Sequence, residues 1–299
     1  MISLDEFLAL PTEEVARLVH QAGPQVCVFP INGTRRWFML EHAQDVGPDP
    51  IQAYMDISSQ NHISLYKLFF EHGIDTLLTP AIGPDILLRG DEYMQHIGAA
   101  GMERLASGKD FLEFYVKYDV CVHFYGNYRK ALKSTPHAHL VDSFDQVTEQ
   151  TKNHKAYRLF FGIFGNDATE MVAEWAIQYH QRYNAKPSRR EIVEMYYGEY
   201  VEPVTMFIGF DKFSAFDYPL LGSGEEDLYF TVAPSPYLTT KQLRGILYDH
   251  LYTRRVEEPD YSKLAPEDIA WMKSFYKANR EVTLGIGSLR KDTWYPIFK

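Results

Sequence analysis

Val26-Cys27-Val28-Phe29-Pro30-Ile31-Asn32-Gly33-Thr34-Arg35-Arg36-Trp37 passes abruptly from apolar to polar and positively charged residues. The run Val26 to Phe29 suits a short buried strand. Pro30 has no N–H with which to continue a central ladder, so the strand should stop there. Gly33 lets an anion come close to the backbone, and a helix starting at this point would turn its first N–H groups toward that anion. Arg35 and Arg36 add charge-assisted, multidentate donors, which match the oxygens of a diphosphate. Read without its neighbours, the cluster is first a solvated charged turn and only then a phosphate site, and Trp37 is first a core aromatic.

The neighbouring sequence repeats the alternation of short apolar runs and helical patterns. Ser3 and Glu6 form a capping box for a small helix that should cover the sheet. Ile63, Leu65, Leu68, Phe69 and Phe70 share a helical face that stops at Gly73 and leads into a strand, Thr76–Thr79, closed by Pro80. Further strands are expected at Val120–Phe124, Tyr157–Phe164, Thr205–Gly209 and Asp227–Thr231. Helices are expected at Asp91–Leu105, Asp167–Tyr183, Ser188–Tyr197, Thr239–Leu251 and Ala265–Tyr276. His139 to Lys155 is polar without a dependable period and reads as a mobile connection or peripheral excursion. The pattern predicts an α/β fold with a twisted, mainly parallel central sheet covered by helices on both faces and a reaction cleft near the strand ends. Residues 1–299 form one domain in this reading, with about 232–299 as a C-terminal cover or dimer element.

The 299 residues are 45% hydrophobic and 23% charged, which fits a globular chain with a sizeable core. A formal charge of −10 argues against nucleic acid or an anionic membrane as partner, while leaving room for a local cationic anion site. Cys27 and Cys121 each sit in an apolar run and read as buried, reduced thiols, so no disulfide scaffold or structural zinc is expected. With no secretory leader and no apolar run of membrane-spanning length, a cytoplasmic protein without integral membrane association is the expectation.

From Gly33 to Phe38 the chain reads Gly-Thr-Arg-Arg-Trp followed by an aromatic residue. This resembles the cis-prenyltransferase superfamily, whose signature is a strand followed by Asp-Gly-Asn-Arg-Arg-Trp, and more closely its divergent bacterial diterpene synthase branch. Similar stretches run from Leu68 to Ile74, Arg89 to Tyr93, Phe161 to Ala168, Tyr196 to Tyr200, Met206 to Phe210 and Phe213 to Leu221. The resemblance therefore covers nearly the whole chain.

It implies that Gly33, Thr34, Arg35, Arg36 and Trp37 bind the substrate diphosphate with Mg2+, and that Tyr54 and Tyr93 are active-site tyrosines able to orient water or face a cation. Asp167 is a further catalytic candidate. Asn32 stands where the family has a metal-coordinating Asp, and a neutral amide binds a hard cation less strongly than a carboxylate does. Two readings follow: a natural variant with a substitute carboxylate, or an Asp-to-Asn substitution that weakens turnover. Glu226 and Asp227 are candidates to complete a magnesium site with Asn32, with a solvated turn as the plainer reading. Lys212 and Ser214 occupy the region where chain-elongating relatives carry an Arg-x-Ser segment, so binding of a second diphosphate should be compromised. His123 reads as structural, and His137 and His139 lack the partners of a zinc site.

The implied activity is removal of diphosphate from a bicyclic C20 allylic diphosphate of kolavenyl type, with water capture to a tertiary alcohol such as kolavelool. The alternatives are prenyl transfer to a nucleoside, cis-prenyl chain elongation and non-catalytic isoprenoid binding. A homodimer is also implied by the resemblance.

Overall fold

The computed structural model describes residues 2–44, 46–83 and 98–297. Arg89 to Tyr93, including the candidate Tyr93, lie outside the described residues.

Among the described residues, six strands form one wholly parallel sheet: β1 (Val26–Val28), β2 (Thr76–Ile82), β3 (Val120–Tyr125), β4 (Tyr157–Ile163), β5 (Met206–Phe210) and β6 (Asp227–Thr231). Their spatial order is β3-β4-β2-β1-β5-β6. Alternate residues enter two separate cores. Cys27, Leu77, Phe161, Met206 and Ile208 pack on one face, while Val26, Val28, Leu78, Phe160 and Phe207 pack on the other. Burial on both faces explains why these strands read as continuous apolar runs.

One face is covered by α1 (Leu4–Ala9), α2 (Thr12–Gln21), α4 (Pro50–Glu71), α5 (Ala100–Ser107), α6 (Lys109–Lys117), α8 (His139–Thr151) and α11 (Thr240–Tyr248). The other carries α9 (Thr169–Tyr183) and α10 (Arg189–Tyr197). Helices α3 (Thr34–Glu41) and α7 (Tyr128–Leu132) follow β1 and β3 directly. The capping box at Ser3 and Glu6 is present, and Ser188 with Glu191 forms another at the start of α10.

Two segments differ from the sequence expectation. His139 to Lys155 holds helix α8, seated by Leu140, Phe144, Val147 and Thr151 at steps of four, three and four. That apolar stripe is narrow, and the polar residues around it hide the period. Strand β2 also continues through Pro80 to Ile82. The Leu78 carbonyl accepts from Phe29 N at 2.8 Å, so Pro80, two residues on, turns its missing N–H toward β1, whose ladder has already ended. β2 meanwhile stays paired with β4 on its other edge, through Pro80 and Gly162.

Beyond β6, residues 235–248 pack into the body of the protein: Ser235, Leu243 and Leu247 are fully buried. Helix α12 (Pro266–Asn279) buries no residue, and the antiparallel pair β7 (Gly287–Arg290) and β8 (Thr293–Pro296) follows it. Trp271, Phe275, Leu284 and Leu289 are exposed in this part. No helix among the described residues is long and apolar enough to cross a membrane.

Candidate active site

A cavity of about 1130 Å³ opens beyond the carboxyl ends of β1, β2 and β5, where open parallel sheets bind their ligands. Its lining includes Asn32, Gly33, Thr34, Arg35 and Arg36 after β1, and Asp211, Lys212, Ser214 and Asp217 after β5. Tyr54, Ser58, His62 and Tyr66 contribute from α4, Thr79 to Gly83 from the end of β2, and Arg104 from α5.

The cradle at its centre is set by backbone geometry. Gly33 caps α3 with φ of +77°, a left-handed value that costs a side chain about 1–2 kcal/mol. A Cβ there would lie 2.8 Å from the Phe210 ring and 2.9 Å from Pro234 Cβ. No side chain caps the helix, whose first internal bond is Trp37 N to Gly33 O at 2.9 Å. An anion at this end meets the amide N–H groups and positive dipole end of α3. Ser235 fixes the approach: its hydroxyl donates to Pro30 O at 3.2 Å and accepts from Asn32 N at 3.1 Å, and its N–H donates to Asn32 O at 3.0 Å.

Arg36 lies over the Phe210 ring, 5.2 Å from its centroid, and its guanidinium is 3.4 Å from Asp211. The loop carrying Asp217 is fastened from below by two buried phenols. Tyr125 donates to Asp217 O and Tyr197 to Pro219 O, both at 2.7 Å. Asp211 and Asp217 hold φ of +71° and +59°, a conformation uncommon for non-glycine residues. On α5, Arg104 is bound by Asp56 at 2.7 Å and by Asp110 at 2.9 Å, which largely neutralises it.

Helix α4 presents Tyr54, Ser58, His62 and Tyr66 to the cavity at intervals of four, one face of a helix. The Tyr54 ring meets Phe38 edge to face at 5.2 Å. His62 Nε2 is 3.4 Å from the Thr34 hydroxyl, and burial pushes the imidazole down to about 4. Burial raises the Tyr66 phenol, a shift opposed by its hydrogen bond with Thr79. Ser58 Oγ is buried with no hydrogen-bond partner among the described residues. Ser58, His62 and Tyr66 were not singled out from the sequence. The signal was present as a four-residue recurrence, but hydroxyl, imidazole and phenol do not register as one class in a hydropathy reading.

Of the candidates read from the sequence, Asn32, Gly33, Thr34, Arg35, Arg36, Tyr54, Lys212 and Ser214 share this cavity. Trp37 is buried against the His42 ring at 4.9 Å, outside the lining. Asp167 is exposed and accepts from Thr169 N and Oγ1 at 2.8 and 2.7 Å, which holds its carboxyl below the usual range. Glu226 closes a turn by accepting from Ser223 N and Gly224 N, each at 2.8 Å. Asp227 begins β6, level with Met206 and Cys27 and therefore toward the opposite edge of the sheet from the cavity. There it binds His250 at 2.6 Å and Arg255 at 2.7 Å. The residues considered for magnesium are thus not brought together, and the described residues contain no group of three His, Cys, Asp or Glu able to hold a metal ion. Among the described residues, Asn32, Glu226 and Asp227 do not assemble a magnesium site. His123 stacks on Phe160 at 4.9 Å, with Glu199 3.4 Å from its Nε2.

The architecture defines the class. The chain is similar in fold to lavandulyl diphosphate synthase from Lavandula x intermedia, with a TM-score of 0.60 and 13% identity over 80% of this chain and 98% of that one. It is likewise similar to a probable undecaprenyl diphosphate synthase from Campylobacter jejuni, with a TM-score of 0.56 and 15% identity over 79% and 97%. These are cis-prenyltransferase folds. In sequence, the chain is 44% identical to tuberculosinyl adenosine transferase of Mycobacterium tuberculosis over 99% of this chain and 98% of that protein. It is 25% identical to (+)-kolavelool synthase of Herpetosiphon aurantiacus over 98% and 95%. No family model matches. The chain belongs to the divergent bacterial diterpene-forming branch of the cis-prenyltransferase superfamily and is an enzyme of the prenyltransferase and terpene synthase class.

Proposed function

We propose that this enzyme removes diphosphate from a C20 allylic diphosphate and transfers the diterpenyl group to a nucleoside. The observation that carries the reading is one cavity in which the uncapped start of α3, Arg35 and Arg36 adjoin apolar and aromatic walls that include Met39, Met55, Leu105 and Phe111. Guanidinium and amide donors stabilise charge gathering on the departing diphosphate, and the apolar walls shield the allylic cation. The nucleoside acceptor is supported by the 44% identity, over almost the whole chain, to a tuberculosinyl adenosine transferase.

Water capture to a tertiary alcohol is the second reading. The hydroxyls of Tyr54 and Ser58 favour it, as does the likeness to a kolavelool synthase. Chain elongation has less support, because Lys212 and Ser214 offer a second diphosphate one cation and no guanidinium fork. Magnesium is assigned to the substrate, as the counter-ion of its diphosphate, with no protein cage required. The exposed apolar face around Trp271 and Phe275 is assigned to a homodimer contact.

The test is incubation of the purified chain with bicyclic and linear C20 allylic diphosphates, with and without adenosine and magnesium, followed by phosphate release and product mass. A product heavier by the nucleoside supports the main reading. A C20 alcohol formed irrespective of adenosine moves the assignment to water capture, and absence of diphosphate release removes both.

A further inference from the structure

We propose that His62 is the proton acceptor of the reaction, with the Ser58 hydroxyl one helical turn away holding the nucleophile's O–H or N–H group against it. The inference rests on the prenyl-capture reading above and deepens it. Both side chains line the cavity from the same face of α4, and their spacing of four residues sets them about 6 Å apart along the helix. Ser58 Oγ is buried without a hydrogen-bond partner among the described residues. A polar atom left in that state in a cavity wall is fitted to a ligand, since burial without a bond costs about 1–3 kcal/mol.

His62 is tied to the diphosphate cradle through Thr34, the first residue of α3. The Thr34 hydroxyl has two acceptors in reach, Ile31 O at 3.2 Å and His62 Nε2 at 3.4 Å. The proposal requires the tautomer in which the Thr34 hydroxyl donates to Ile31 O, Nε2–H donates to Thr34 Oγ1, and the basic lone pair is on Nδ1. The cavity that His62 lines also presents Arg35 and Arg36 from α3, Arg104 from α5, and Asp211, Lys212 and Asp217 after β5, with Tyr54 and Tyr66 on the same helix as His62. Burial keeps the ring neutral near pH 7, the form a base requires.

In the step itself the allylic C–O bond breaks and its electron pair leaves on the diphosphate oxygen. A lone pair on the acceptor's oxygen or nitrogen forms the new bond to carbon. The acceptor's proton passes to His62, and the imidazolium, destabilised by its buried surroundings, releases it to solvent.

The experiment compares the wild-type chain with His62→Gln, His62→Asn and Ser58→Ala. Each variant is first checked by circular dichroism and by its affinity for inorganic diphosphate, which should stay within a few-fold of wild type. Turnover of C20 allylic diphosphates is then followed with adenosine and with water as acceptors. Both His62 variants should lower kcat for captured product by about 100-fold or more, shift the residual product toward olefin, and abolish the acid limb of the pH–rate profile. Ser58→Ala should act mainly on the acceptor KM. If wild type turns over and both His62 variants keep its kcat within threefold, its product ratio and its acid limb, the assignment of His62 is overturned while prenyl capture stands. If wild type releases no diphosphate from any of these substrates, the prenyl-capture reading fails and the role of His62 fails with it.

Discussion

Gly33→Ala tests whether the start of α3 is a close-fitting cradle. The residue has φ of +77°, and a new methyl would sit 2.8 Å from Phe210 Cε1 and 2.9 Å from Pro234 Cβ. Left-handed strain contributes about 1–2 kcal/mol, and forcing the methyl against two packed side chains about 1–3 kcal/mol more. Gly224 supplies a control, with φ of +82° and nothing within 4 Å of its Cβ position. Gly224→Ala therefore carries the strain without the collision. Chemical denaturation should put Gly33→Ala below Gly224→Ala by about 1–3 kcal/mol, and titration with inorganic diphosphate should weaken only for Gly33→Ala. Equal stability losses together with unchanged diphosphate affinity would mean that Phe210 and Pro234 yield freely and that the cradle is not built by their contact.

Three further outcomes follow from the structure. Asn32→Asp should raise diphosphate release in the presence of magnesium by about tenfold or more, equivalent to about 1.4 kcal/mol of barrier, because a carboxylate in the cavity wall adds a charged ligand for the magnesium that the substrate diphosphate carries; equal rates with equal magnesium dependence would remove that argument. His62 has its imidazole lowered from 6.5 to about 4, so the folded state resists a proton that the unfolded chain accepts. Its cost is absent above pH 6.5 and grows as pH falls toward 4, reaching at most about 3 kcal/mol, an upper bound because the ring faces a cavity open to water. Paired denaturation curves should accordingly show His62→Gln gaining on wild type as pH is lowered through this window, and parallel curves would refute the shift. Light scattering should give twice the chain mass of 34.7 kDa, with the Trp271→Glu, Phe275→Glu double variant returning to a single mass; a wild-type monomer would sink the homodimer.

The strands and the cradle were legible in the sequence because each rests on local chemistry. Val26 to Phe29 is apolar at every position since both faces of β1 are buried, and Gly33 before two arginines marks a helix start open to an anion. Strand order was not legible: that β1 lies between β2 and β5 depends on pairing across more than a hundred residues of chain. Helix α8 was hidden because the stripe of Leu140, Phe144, Val147 and Thr151 is one side chain wide. The metal candidates expose a different gap. A residue at the first position of a parallel strand belongs to the sheet edge opposite the loops that follow the strands, so Asp227 at the start of β6 was already separable from Asn32 past the end of β1. Local composition made Glu226 and Asp227 attractive, whereas strand direction carried the information about where they end up.

The segment after β6 has a more specific task than covering the sheet. Pro234 closes on Gly33, and Ser235 clamps both sides of the turn from Pro30 to Asn32. The Pro236 carbonyl accepts from Asn61 Nδ2 of α4 at 3.3 Å, and the Tyr237 hydroxyl reaches the Glu41 carboxylate at the end of α3. Four consecutive residues thus fasten the turn, both ends of the anion-facing helix and the helix that bears Ser58 and His62. The two halves of the proposed chemistry, leaving-group cradle and nucleophile wall, come from separate elements whose registration depends on this strap. Electrostatic stabilisation of a departing diphosphate is effective only when its donors are already aimed before charge develops, and a helix start with no side-chain cap of its own depends on such outside anchoring. The strap's contacts thereby connect the packing of the C-terminal region to the geometry on which bond breaking would depend.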